Sequence, residues 1–262
     1  MKDPACMSYK VLIVGAHHEE VEAEFPNIAA TLASTGCEVH ILNPIGGWNW
    51  TFIRNLEGDG RAKTVADAKA AAAELGCTKT IWDYPVAQCD RFQAEIMDRM
   101  AEFLIDFAPD IVLMHWPLDS HADHRLVAHI THQVLLSATD MVKETRPEFR
   151  YPREIYAFQT GVAQVYHFIP DCFVLCDGDS MAKADRAIAC FSPTASDCTR
   201  RWKQNFHTKA ACWSNLAGAP AEALKFLGPE LPLDGFLLKK ILGEKLISSK
   251  MEPFYFNRDF QL

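Results

Sequence analysis

Residues Lys10 to Ala16 read KVLIVGA, an unbroken apolar run of β-branched residues and leucine, closed by Gly15-Ala16. After Lys10 no polar residue alternates with the apolar ones, so such a strand has no face to turn toward water; the arrangement that buries both faces is the interior of a parallel sheet. A parallel neighbour requires a crossover, usually helical. Residues from about Val21 to Thr35 supply helix formers that stop at Gly36, and Glu38 to Leu42 (EVHIL) follows as a second β run. The rhythm then repeats. An alanine-rich helix from about Arg61 to Leu75 stops at Gly76, ahead of a third strand at Thr78 to Trp82 (TKTIW). An amphipathic helix from Phe92 to Phe107, ended by Ala108-Pro109, leads to a fourth strand at Asp110 to His115 (DIVLMH), and another helix starts near His124.

This alternation predicts an α/β fold: a Rossmann-like, doubly wound, mostly parallel sheet with helices on both faces. After about residue 140 the pattern changes; Glu154 to Phe158 (EIYAF) and Cys172 to Cys176 (CFVLC) read as further strands, and a helical region begins near Asp179. The 262 residues contain no repeat, low-complexity tract or clean linker, so one domain is expected over 1–262, with a core at about 8–140 and a C-terminal elaboration at about 141–262.

Composition narrows the class of function. With 49% hydrophobic and 23% charged residues, the chain is an ordinary globular one able to bury a real core. Its 26 Lys and Arg against 34 Asp and Glu leave a formal charge of −8, which repels phosphate backbones and anionic lipid; neither a nucleic-acid nor a membrane partner is expected. Nine cysteines, an odd number without a C-x-x-C pair, suit a reducing compartment, and Cys172 and Cys176 read as small hydrophobes on one strand face. No apolar stretch reaches membrane-spanning length, and MKDPACMSYK lacks the hydrophobic core of a signal peptide, so a cytoplasmic location is expected, with Met7 as a second candidate start. The sequence leaves a homo-oligomer open.

Seven of the ten histidines fall in two places: His17 and His18 after the first strand, and His115, His121, His124, His129 and His132 around and after the fourth. Both places lie at carboxyl ends of parallel strands, the edge where open α/β sheets bind ligands. The first reads Ala16-His17-His18-Glu19-Glu20-Val21-Glu22; the second reads His115-Trp116-Pro117-Leu118-Asp119-Ser120-His121-Ala122-Asp123-His124. Imidazole and carboxylate are the ligand types that suit zinc and similar divalent metals, and a catalytic zinc needs three protein ligands and one position for water. His129 and His132 share a polar helix face with Arg125 and Gln133, opposite Leu126, Ile130 and Val134, and read as surface residues. His115 ends its strand and reads as a core or supporting histidine, while His40, His167 and His207 stand apart from both clusters.

Other chemistries lack their starting residues. The turn after the first strand has only Gly15 before bulky acids, and three carboxylates there repel a pyrophosphate. There is no G-x-S-x-G elbow, P-loop or H-E-x-x-H.

The stretch VGAHHEEVE resembles the A-H-P-D-D-x-E signature of the PIG-L/LmbE-like zinc-dependent N-deacetylases, with His17, Glu19, Glu20 and Glu22 in the places of the histidine, the two aspartates and the final glutamate. DSHADHR is similar to that family's H-P-D-H motif at His121, Asp123 and His124. Asp67 with the AAAELG run, REIYAF, and Lys183 to Cys190 (KADRAIAC) resemble its other segments. Departures are His18 and Ala122 for the prolines, Glu for both aspartates, and Ser192-Pro193 for a serine-glutamine pair. A glutamate is longer than an aspartate by about 1.5 Å, so either the loop retracts or the metal moves.

The resemblance implies a Zn2+ or other divalent metal held by His17, Glu20 and His124, with Glu19 as general base. It implies that His121 faces the oxyanion or protonates the departing amine, and that Asp123 orients His121 or a ligand histidine. The implied substrate is a small N-acetylated amino sugar or sugar conjugate such as an N-acetylglucosamine derivative, cleaved to acetate and an amine. Hydrolysis of a different amide and a non-catalytic ligand-binding role are the alternatives. The loop from about Gly46 to Gly60 is expected to shape the substrate pocket. Its Trp48, Asn49, Trp50 and Arg54 read either as a sugar-stacking wall, with Trp50 and Arg54 binding substrate, or as a packed loop anchored by tryptophans.

Overall fold

A computed structural model of the protein describes residues 8–138, 150–161, 165–229 and 235–249; Cys6 and Met7 lie outside them. The strands are β1 (Lys10–Val14), β2 (Glu38–Ile45), β3 (Thr78–Tyr84), β4 (Ile111–His115), β5 (Glu154–Phe158), β6 (Cys172–Leu175), β7 (Ala221–Gly228) and β8 (Leu246–Ser248). The helices are α1 (Glu20–Glu24), α2 (Pro26–Ser34), α3 (Thr51–Arg54), α4 (Gly60–Glu74), α5 (Gln93–Phe107), α6 (Ala122–Gln133), α7 (Gly178–Ala189), α8 (Ser192–Cys212), α9 (Ser214–Ala217) and α10 (Leu237–Leu242).

One sheet holds all eight strands in the order β3-β2-β1-β4-β5-β7-β6-β8. The pairings from β3 through β5 are parallel, and β7 pairs antiparallel with both β5 and β6, as β8 does with β6. The sheet is therefore mixed and mostly parallel, with helices packed on it. β1 shows why its sequence is apolar throughout: Val11 and Ile13 enter one core while Leu12 and Val14 enter the core on the opposite face. The first core also takes Phe25, Ile28 and Phe206, and the second takes Ile96, Leu104 and Val127.

The single helix expected from Val21 to Thr35 is two. Phe25 leaves helical geometry (φ −142°) because it precedes Pro26, whose ring disfavours the α region for the residue before it; Pro26 then opens α2. The strands β7 and β8 were not expected from the sequence. Ala221 to Gly228 reads AEALKFLG, rich in helix formers, and it becomes a strand because β5 and β6 flank it on both sides.

Two buried carboxylates fasten later segments to the fold. Glu222 of β7 accepts hydrogen bonds from the backbone N–H groups of Asn27 (3.0 Å) and Ile28 (2.7 Å), the first turn of α2. Glu154 of β5 does the same for Leu237 and Leu238 at the start of α10. Each supplies acceptor oxygens where a helix leaves unpaired N–H donors.

Candidate active site

β1 is flanked by its parallel neighbours β2 and β4, and the strand order proceeds from β1 to one side through β2 and to the other through β4, so the crevice at their carboxyl ends is the topological switch point of the sheet. The loop after β1 and the loop after β4 meet there. Gly15 makes the first of them possible: a Cβ would lie 2.7 Å from Asn43 Nδ2, which donates to the His17 carbonyl at 2.5 Å. Beneath the same loop, Lys79 of β3 donates to the His18 carbonyl (2.6 Å) and to both oxygens of Glu22 (2.6 and 2.7 Å), an ion pair with neither side chain exposed.

His17, Glu20 and His124 converge and are all buried. His17 Nδ1 lies 2.6 Å from Glu20 Oε1, and His124 Nε2 contacts the same oxygen. The remaining atoms of these side chains are tied from behind. His17 Nε2 meets Asp123 Oδ2 at 3.0 Å; His124 Nδ1 meets Asp119 Oδ2 at 2.9 Å. Glu20 Oε2 accepts from Ala16 N (2.6 Å) and His17 N (3.0 Å) and lies 2.8 Å from His115 Nε2. The extra length of glutamate is thus taken up by folding the carboxylate back over its own loop, which leaves Oε1 facing the two imidazoles.

Two imidazoles and a carboxylate, each oriented by a further hydrogen bond, are the donor set and the supporting layer that divalent metal sites use, so these residues fit a metal. The charges agree. Burial opposes the Glu20 carboxylate, but His124, His17 and His115 hold it well below the usual range. Burial likewise opposes a charged His17, yet Glu20 and Asp123 hold it at about 9; Glu20 and Asp119 do the same for His124, at about 10. The cluster stabilises positive charge at this point.

Glu19 stands beside it. Burial pushes its carboxyl up to about 7, against the pull of His17, and Oε2 lies 3.3 Å from His18 Nδ1. Burial and the nearby Lys79 push His18 down to about 3, so that ring is neutral. His121 caps α6, its Nδ1 accepting from Asp123 N at 3.2 Å. Asp123 therefore contacts His17 through its side chain and His121 through its backbone, and Oδ2 also accepts from Ala87 N (2.9 Å).

These groups open on a cavity of about 440 Å³ whose floor is His17, Glu19, Glu20, His121 and His124. Trp50 forms part of its side, 5.1 Å from the His17 ring between centroids; Gly47, at φ +72°, lets the indole lie close, since a Cβ would sit 2.7 Å from it. Arg54 departs from expectation. It is exposed and is not among the cavity residues, because its neighbour Ile53 takes the inward face of α3. Trp48 and Asn49 serve the loop instead: the indole donates to Asp83 (3.0 Å) under the Arg61 guanidinium, and Asn49 brackets the backbone of Val86. His129 is exposed, and His40 bonds Thr78 and Thr80.

The rest of the wall was missed by the sequence reading: Thr160 just after β5, Ala23 and Glu24 of α1, and Arg201, Trp202 and Asn205 of α8. No motif marks them. The one signal is that positions 201 and 205, four apart, share a helix face.

Residues 12–135 match the family model described as PIG-L: GlcNAc-PI de-N-acetylase. No curated protein sequence matches the chain significantly. Among solved structures, the chain is similar to GalB, the 4-carboxy-2-hydroxymuconate hydratase of Pseudomonas putida KT2440, at 20% identity over 86% of this chain and 98% of that one, TM-score 0.68. It is similar to N,N'-diacetylchitobiose deacetylase of Pyrococcus horikoshii, at 18% identity over 86% of each chain, TM-score 0.68. A zinc-inhibited form of a teicoplanin deacetylase matches at 11% identity over 84% of this chain and 100% of that one, TM-score 0.62. At these identities the likeness is one of fold. Residues 12–135, the stretch that matches the PIG-L (GlcNAc-PI de-N-acetylase) family model, span both histidine clusters.

Proposed function

We propose that the protein is a zinc-type de-N-acetylase acting on a small N-acetylated amino sugar, an N-acetylglucosamine derivative being the simplest case. The observation that carries this reading is the meeting of His17, Glu20 and His124 at one point, with Glu19 lining the same cavity. The family-model match over residues 12–135 and the deacetylases among similar folds support it. The eight described cysteines are all free, which supports a reducing, cytoplasmic setting. No described helix is long and apolar enough to cross a membrane.

A divalent metal held by His17, Glu20 and His124 supplies a Lewis acid that polarises a carbonyl and lowers the pKa of water toward ~7. The remaining steps belong to the chain. Glu19, which exchanges a proton near neutrality, takes one from the attacking water and returns it to the departing amine. The His121 Nδ1 is occupied as an acceptor, so the neutral ring carries its proton on Nε2 and donates a hydrogen bond to the oxyanion as the amide carbonyl becomes tetrahedral. Asp123 acts on His17 rather than on substrate, fixing which ring nitrogen faces Glu20. Trp50 offers an apolar face to the sugar ring. Acetate and the free amine are the products.

The hydratase among the similar folds adds water to a different kind of bond, so the fold alone does not choose the reaction. Acetate release from N-acetylglucosamine conjugates by metal-replete protein does. The reading expects release, together with about one equivalent of metal by elemental analysis, and loss of both in a His17→Ala/His124→Ala double variant. Undiminished metal in that variant, or no acetate from any N-acetyl sugar, overturns it.

A further inference from the structure

The outer wall of the cavity carries a charge that the floor does not explain. α8, kinked at Ala195, crosses over the pocket and is held by its buried side. Phe206 is fully buried, and Trp202 nearly so. Lys209, 2% exposed, donates to the Gln159 carbonyl at 3.1 Å and to the Glu24 carboxylate at 3.2 Å. Thr194 donates to Asp67 of α4 at 2.6 Å. These anchors fix the helix and leave Arg201 and Asn205 exposed at the cavity mouth.

Arg201 has no ion-pair partner among the described residues. Glu24, the acid of the same wall, is already engaged by Lys209, so it does not neutralise the guanidinium. The floor is different in kind, since His17, Glu20 and His124 are occupied with one another and with Asp119. An unpaired guanidinium on an anchored helix, with a neutral amide donor one turn further on, is arranged to receive an oxyanion; a planar fork matches carboxylate and phosphate alike.

Resting on the deacetylase reading above, we propose that the substrate carries a carboxylate or phosphate group remote from its acetamide, and that Arg201, with Asn205, selects for it. The floor then reads the N-acetyl group and α8 reads the anion. A protein of net charge −8 gains most from such a local cation, because its general surface repels the same ligand.

The test measures binding, so that it is independent of turnover. Glucosamine, glucosamine 6-phosphate and glucosaminuronic acid are titrated by calorimetry into the metal-replete wild type, Arg201→Gln and Arg200→Gln. Arg200 is the adjacent arginine and does not line the cavity. At least one anionic amine is expected to bind about tenfold more tightly than glucosamine to wild type, the scale of one charge-assisted fork. Arg201→Gln closes that gap, and Arg200→Gln leaves it open. Which of the two anions shows the gap separates phosphate from carboxylate. Equal binding of all three ligands, a gap that survives Arg201→Gln, or an equal effect of Arg200→Gln overturns the proposal. An Arg201-dependent gap in a protein that releases no acetate would retain the anion site and reject the deacetylase.

Discussion

At the floor of the pocket, His17, Glu19 and Glu20 stand within four consecutive positions after β1, and His121 and His124 within four after β4, whereas Trp50, Thr160 and Trp202 reach the side and wall from three distant segments. The floor rests on the two central parallel strands of the sheet, and its His17, Glu20 and His124 are buried and tied to one another and to Asp119 and Asp123 behind them. The wall comes from a loop, a strand end and a helix that packs over the crevice, and its polar groups at the mouth face solvent. The difference separates two tasks. Chemistry needs groups held to within a fraction of an ångström, which closely spaced residues on a rigid strand end provide; recognition tolerates a looser scaffold.

The largest effects should come from the floor, and the two adjacent glutamates sharpen the comparison most. Glu19→Gln keeps size but removes the base, and turnover should fall by about 10²–10⁴-fold with metal content unchanged. Glu20→Gln removes an anionic donor, so metal content should fall first, and added metal should partly restore activity in this variant alone. Stopped acetate-release assays with elemental analysis check both; the reverse pattern would shift the motif by one residue.

Next comes the layer under the floor. Lys79→Met strands the Glu22 carboxylate in a site with no exposure, and should cost about 3–5 kcal/mol in a urea unfolding curve. Because Lys79 also holds the His18 carbonyl, metal affinity should drop in whatever protein remains folded. A variant as stable as wild type would show that the floor needs no such support.

At the wall, Trp50→Ala should raise KM on the true substrate by about tenfold, the scale of a lost aromatic face, with kcat little changed. Arg54→Ala should leave both constants as they are, since the side chain is exposed and does not line the cavity. An effect of Arg54 on KM would return that end of the loop to the pocket.

The smallest effect tests the attachment of β7. Burial pushes Glu222 up to about 7, overcoming the pull of Lys209 and of the α2 N–H groups. A free glutamate loses its proton near 4.5, so between those values the folded chain holds a proton that the unfolded chain has released. Stability contributed by this group is therefore present below about pH 4.5 and is lost as pH rises through about 7. Relative to Glu222→Gln, the wild-type Tm should fall by a few degrees, roughly, between pH 5 and pH 8. A Tm difference constant over that range would show that Glu222 is ionised throughout.

The parallel half of the fold and the floor were legible in the sequence for the same reason. A strand buried on both faces must be apolar at every position, as Val11 to Val14 and Ile111 to Met114 are, and polar clusters such as Ala16 to Glu22 then stand out at the strand ends. The break at Pro26 was also marked locally, by the proline itself, and the expected continuous helix overlooked it. The mixed edge was not legible. Ala221 to Gly228 has the composition of a helix, and only the unpaired edges of β5 and β6 turn it into a strand.

What the chain determined by itself is local: hydrophobic period, turn residues and the spacing of ligand-type side chains along a strand end, all set by covalent neighbours. What tertiary structure decided is every contact made across long loops. It placed Glu222 under α2, and Thr194 on Asp67. It brought Arg201 and Trp202 over a site whose floor begins at His17. Such contacts depend on which faces are left to bury once the strands have paired, a property of the assembled layers that no window of sequence contains.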